Sequence, residues 1–145
     1  MKILLVIGIG MSIGLVFFAV RQTTFFVRES VPTQIILAGK TYSLEVATTV
    51  QEQALGLGER DVLCEQCAML FLFQDVEEHA FWMKGMRFPL DIAWLLDGRV
   101  VHIEHRVPND SMTVYAPSGK SNQVLEFNAG VLDRVQVGDR LLFSF

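Results

Sequence analysis

The stretch Asp91–Glu104, DIAWLLDGRVVHIE, decides the fold. Two short apolar runs, Asp91–Leu96 and Arg99–Glu104, are separated only by Asp97-Gly98. That dipeptide tolerates the positive φ angles of a two-residue hairpin turn, so the stretch predicts two antiparallel strands. Working outward, Gln34–Ala38 and Thr41–Ala47 are β-rich runs around a second hairpin signal, Gly39-Lys40. The second run alternates, with Tyr42, Leu44 and Val46 on one face and Ser43 and Glu45 on the other. Ala68–Phe73 and His79–Met83 supply two further runs. Gln123–Phe127 and Arg140–Phe145, the latter behind a Gly138-Asp139 turn, complete the set.

Helical signals are few. Thr49-Val50-Gln51-Glu52 fits a capping box, in which Thr and Glu satisfy each other's backbone donors. The helix that follows is expected to run through Leu57, with Gly56 and Gly58 marking its end. Asn128 is placed to cap one more helical turn. The expected architecture is mainly β with minor α (α+β): a compact, barrel-like mixed sheet of seven or eight short strands with one or two short helices.

Ahead of this domain lies a different kind of sequence. Ile3–Val20 holds eighteen residues with no charge, close to the roughly 20 that a membrane-spanning helix needs. Phe25, Phe26 and Val27 extend its apolar reach, and glycines such as Gly8, Gly10 and Gly14 are common in membrane helices. Cleavage after Ala19 would put Phe17 at the −3 position, where a small residue is wanted, so a retained anchor is expected rather than a cleaved signal. The chain is thus divided into an anchor and flank over residues 1–30 and one domain over 31–145. The polar segment Arg28–Thr33 links the two. Lys2 stands on one side of the apolar run and Arg21 and Arg28 on the other, which leaves the charge rule nearly tied. Short N-terminal anchors usually leave the following domain outside, and an extracytoplasmic location at the cell membrane is expected.

Charge narrows the partners. The chain has 12 basic and 16 acidic residues, net −4. Lys2, Arg21, Arg28 and Glu29 precede Val31, which leaves 9 basic and 15 acidic residues in the domain, net −6. Nucleic acid is excluded as a partner, since phosphate contacts require basic surface. The expected partners are the lipid bilayer, through residues 3–20, and a small molecule or an envelope protein.

The segments Ala68-Met69-Leu70-Phe71, FWMKGMRFPLDI (Phe81–Ile92), Asp97-Gly98, Val124-Leu125-Glu126, Gly130 and Gly138-Asp139 together carry a resemblance. The chain resembles the prokaryotic domain-of-unknown-function family 192 over roughly Leu44 to Leu142. Ala68 departs from the glycine usual in that family, and the Cys64–Cys67 pair belongs to some members only. The resemblance implies a small β-rich domain, often behind a signal or anchor, with no established activity.

Candidate sites follow from residue chemistry. Cys64 and Cys67 are the only cysteines. Outside the cytoplasm they are expected to form a structural disulfide, contributing on the order of 2 kcal/mol for so small a loop; a redox-active pair is the second reading and half of a zinc site the third. His79, His102 and His105 are the only further zinc candidates, and no metal or cofactor is assigned. Trp82, Lys84, Arg87 and Asp91 form a candidate ligand site, with Trp82 as an apolar platform, Lys84 or Arg87 for an anionic or hydroxyl-rich group and Asp91 as acceptor. The competing account puts Trp82 in the core and pairs Lys84 with Asp91. Glu104, Asp110 and Glu126 are carboxylates whose spacing predicts no shared site. Val107–Ser121 is a long loop suited to recognition. No catalytic constellation is legible, so the domain is read as a non-catalytic binding or interaction module. A thiol–disulfide oxidoreductase and a structural component of an envelope complex are the alternatives.

Overall fold

A computed structural model of the protein describes residues 30–109 and 112–145. The anchor expected over residues 3–20 lies outside the described residues. Among the described residues no helix is long and apolar enough to cross a membrane.

The described chain forms β1 (Gln34–Leu37), β2 (Lys40–Ala47), α1 (Val50–Leu55), β3 (Cys67–Glu77), β4 (Phe81–Trp82), β5 (Leu90–Leu96), β6 (Arg99–Val107), β7 (Val114–Tyr115), β8 (Ser121–Asn128) and β9 (Leu142–Ser144). Seven strands make one sheet in the order β6-β5-β8-β3-β2-β1-β9, and β4 and β7 form a separate ribbon. The mainly β, mixed-sheet expectation therefore holds, with one α-helix among the described residues. The sheet curls into a half-barrel. Its opposite ends meet at a bridge between Arg99 and Arg140, reinforced by Val100 N–H to the Asp139 carbonyl at 2.9 Å and Leu141 N–H to the Gly98 carbonyl at 2.9 Å.

Both hairpins use two consecutive residues at positive φ, as their right-handed twist requires. At Asp97 and Gly98 the angles are 50° and 77°, and side chains of the neighbouring strand hold the turn through Asn122 Oδ1 and Gln123 Oε1. In the other hairpin the turn is Ala38-Gly39, with φ of 48° and 78°, and Leu37 pairs with Lys40. Lys40 is thus the first residue of β2 and not part of the turn.

Three more features depart from the sequence expectation. A βαβ unit, not discerned in the sequence, is present: β2 and β3 are parallel and α1 connects them. The capping box of α1 forms as read, with Glu52 N–H to Thr49 Oγ1 at 3.2 Å and Thr49 N–H to Glu52 Oε2 at 2.9 Å. The helix stops at Leu55, however, and Gly56 takes a φ of 51° as its C-cap. Gly56 also lies against the Phe71 ring, and a Cβ there would sit 3.3 Å from it. Asn128 caps nothing; its amide donates to the carbonyls of Leu63 and Cys64.

Strand alternation divides the core in two. Ala68, Leu70, Ala93, Leu95, Leu125 and Phe127 point inward with Ile35, Leu37, Val100 and Leu141. Met69, Phe71, Ile92, Trp94 and Val124 point outward, where Leu57, Leu63, Met83 and Met86 cover them. β5 is therefore buried on both faces, which is why it reads as a continuous apolar run. Trp94, fully buried, is the core tryptophan; its Nε1–H donates to the His79 carbonyl at 2.6 Å.

Candidate functional site

Glu126 lies in β8, directly paired with Met69 of β3 and Ile92 of β5. Paired residues share a face, so its carboxyl emerges on the outer side of the sheet between two apolar side chains. It is 6% exposed. Among the described residues that carboxyl has no hydrogen-bond or ion-pair partner. Burial alone pushes its pKa up to about 8, because removal from water penalises the charged form. At neutral pH it is a neutral acid, able both to donate and to accept.

Beside this group lies a cavity of about 480 Å³ between α1, β3, the segment leading into β4, and β8. Phe71, Phe73, Phe81 and Trp82 line it with Gln53, Glu78, His79 and Lys84. The rings are interlocked: Phe71 and Phe81 meet edge-to-face at 5.0 Å, and Phe81 meets Trp94 at 6.0 Å. His79 stacks on Phe73 at 3.6 Å, and its buried Nε2 has no hydrogen-bond partner. Gln53 donates its amide to the Leu72 carbonyl at 2.8 Å, which turns a polar side chain into a fixed part of the wall. Val50, Leu55 and Trp82 stand at the mouth, each more than half exposed. Val114, paired with Trp82 across the β4–β7 ribbon, is also exposed. An apolar, aromatic concavity with a few convergent polar groups is the usual form of a small-molecule site.

The sequence-predicted cluster is dispersed. Trp82 is 53% exposed at the cavity mouth, with the Lys84 ammonium 5.2 Å above its ring. Arg87 points elsewhere and pairs with Asp61. Asp91 is fully buried on the inner face, with the opposite strand parity from Glu126's neighbour Ile92. The four residues do not converge on one place, since only Trp82 and Lys84 line the same cavity; the rival arrangement, a core Trp82 with Lys84 paired to Asp91, does not form, because Trp82 is exposed and Asp91 accepts from backbone amides.

Asp91 performs a different task. Two residues of β6, His105 and Arg106, stand opposite this one residue of β5, between the pairs Leu90–Val107 and Ile92–Glu104. Such a bulge leaves a backbone N–H outside the ladder. Asp91 Oδ1 accepts it from Arg106 at 2.8 Å, while Oδ2 accepts from Gly130 and Leu132, each at 2.8 Å. The carboxylate thus ties β5 to the bulge and to the turn after β8. His105 and Asp133 place ligand atoms within 4.8 Å of Asp91 and of each other. Asp91's oxygens are already committed, though, and Asp133 pairs with Arg106.

The remaining candidates separate likewise. Cys64 and Cys67 are at disulfide distance, with Cα atoms 5.1 Å apart, Cys64 exposed and Cys67 half-buried at the start of β3. His102 lies beside Glu104 at 3.0 Å and against the Trp94 ring, so the three histidines face three environments. Of the carboxylates, Glu104 and Glu126 do not meet, and Asp110 lies outside the described residues. Within Val107–Ser121, Val107 ends β6 and Val114–Tyr115 forms β7, while Met112 is exposed. A broader depression of about 870 Å³ is lined by Lys40, Glu65, Asp133, Arg134 and Asp139. Its charged groups are exposed or paired, as Asp139 is with the Gln136 N–H, so it offers no buried group that awaits a partner.

A curled half-barrel with an aromatic cavity against its outer face defines a small β-rich domain. The chain belongs to the DUF192 family, described as "Uncharacterized ACR", which matches residues 33–143. No curated protein matches it. Among solved structures, a protein of unknown function from Novosphingobium aromaticivorans is 31% identical, covering 77% of this chain and 84% of its own, with a TM-score of 0.70. A proposed transcription regulator from Sinorhizobium meliloti is 28% identical, covering 76% and 90%, with the same TM-score.

Proposed function

We propose that the chain is a membrane-tethered, extracytoplasmic binding module whose ligand enters the cavity above Glu126. The observation that carries this reading is the carboxyl of a residue only 6% exposed, unpartnered among the described residues, that lines an aromatic concavity. A buried polar group left without a partner costs about 1–3 kcal/mol, and a bound ligand would offset that cost. Trp82, more than half exposed at the mouth, supplies an apolar face that closes over an occupant. The eighteen uncharged residues Ile3–Val20 support the tether. Regulation of transcription, the role proposed for the Sinorhizobium meliloti relative, accords poorly with a domain of net charge −6.

The test is a fragment screen read by NMR on the Trp82 indole and the Phe71 and Phe81 rings. Binders are expected to shift these signals together and to lose affinity in Trp82→Ala. A diverse library that leaves all three unmoved would remove the proposal. A thiol–disulfide role is the second reading, favoured by the exposure of Cys64. A pair that resists mild reductant until the domain unfolds would exclude it.

A further inference from the structure

We infer that the cavity selects an organic ammonium ion: a protonated amine carried on an apolar, preferably aromatic, body. The inference rests on the cavity being a binding site and names what that site takes. It comes from the balance of polar groups against π surface. At the floor, Glu126 offers a carboxyl that no described group occupies. Gln53 spends one N–H of its amide on the Leu72 carbonyl, which fixes the side chain and leaves its amide oxygen as an acceptor beside the remaining N–H. Glu78 adds a second carboxyl to the lining. The walls are ring faces and edges, and an aromatic ring attracts a cation through its negative face. The Trp82 face already shows this preference, since the Lys84 ammonium lies 5.2 Å above its centroid.

The titratable groups facing Glu126 across the cavity are Glu78, His79 and Lys84. The α1 and β3 residues that line the cavity are uncharged, and the nearest strand partners are Met69 and Ile92. A neutral ligand would leave the floor acid protonated. An ammonium draws the proton off, because a neighbouring positive charge favours the carboxylate. Binding then forms a carboxylate–ammonium pair and releases one proton to the buffer. Lys84 is a rival cation at the mouth, and its removal uncovers the indole.

The test uses the full chain and three probes of similar shape: 2-phenylethylamine, 2-phenylethanol and 3-phenylpropanoate. Calorimetry in two buffers of different ionisation enthalpy reads affinity and proton release. The amine is expected to bind at least about tenfold more tightly than the alcohol. It should release close to one proton, and tighten by up to about tenfold per pH unit between pH 6 and 7.5. Glu126→Gln should remove at least about tenfold of amine affinity and abolish the proton release, with a smaller loss for the alcohol, and Lys84→Met should preserve or strengthen amine binding. Equal or tighter binding of the alcohol or the carboxylate, or a Lys84→Met variant that loses the carboxylate probe, would overturn the ammonium assignment and leave the pocket standing. Failure of all three probes to bind or to move the Trp82 indole would overturn the pocket along with it.

Discussion

Replacing Glu126 with Gln should make the protein more stable at neutral and alkaline pH, and by a predictable amount. The carboxyl titrates at about 8 when folded, against an ordinary value of 4.5. Between these two pH values the folded state holds a proton that the unfolded chain has released, so stability falls as pH rises. The contribution is fully present below about pH 4.5 and is lost as pH passes through 8. Each pH unit in that window corresponds to about 1.4 kcal/mol. At pH 7 the wild-type protein has therefore lost about 3 kcal/mol relative to its acid-side value, and by pH 9 about 5 kcal/mol. Gln keeps the shape and does not titrate. Against a total stability of roughly 5–15 kcal/mol for a domain, the difference is large enough to measure. Urea denaturation of both proteins at half-unit intervals from pH 4 to 9 gives the comparison, and every other titrating group cancels in the difference. The Gln variant should gain about 3 kcal/mol on the wild type between pH 4.5 and 7. Curves that stay parallel to within about 0.5 kcal/mol would refute the reasoning, since Glu126 would then have found water or a partner.

Other substitutions probe the frame that holds the cavity. Asp91→Asn should destabilise the protein by about 3 kcal/mol in urea denaturation, because one amide oxygen replaces two and at least one buried donor is stranded. Hydrogen exchange should show the Arg106, Gly130 and Leu132 amides losing protection together. Replacing both Cys64 and Cys67 with Ser should lower stability by about 2 kcal/mol, the loop entropy of a short bridge, without altering the Trp82 indole signal. Thr49→Ala should cost about 1 kcal/mol through loss of the capping box, and it should loosen Gln53 and the α1 wall, seen as weakened probe binding.

Legibility in the sequence tracked how local each determinant is. The Asp97-Gly98 hairpin was readable because a two-residue turn with positive φ at both positions suits that dipeptide. The same geometry at Ala38-Gly39 was misread by one residue, since Ala seldom takes a φ of 48°. The capping box was readable because its bonds span three residues. The parallel pairing of β2 with β3 was not, because a six-residue helix and a long loop separate strands whose patterns fit either direction.

The site was harder still. Trp82 and Asp91 are nine residues apart in one peculiar motif, yet the chain between them passes from the outer ribbon to the central strand. The motif is shared; the location is not. Trp94 had the better core signal, sitting inside the continuous apolar run Leu90–Leu96. Glu126 stands in the sequence as a charged residue between Leu125 and Phe127, with no local feature that sets it apart from Glu104 and Asp110. Its burial depends on β8 lying between β3 and β5, a fact of topology that no local pattern carries.

The most direct test of the account is a carbon-detected NMR titration of the Glu126 side-chain carboxyl, with and without saturating 2-phenylethylamine. The account predicts a midpoint near 8 in the free protein, drawn down into the ordinary carboxylate range by the amine. A midpoint already in that ordinary range, unmoved by the amine, would contradict it.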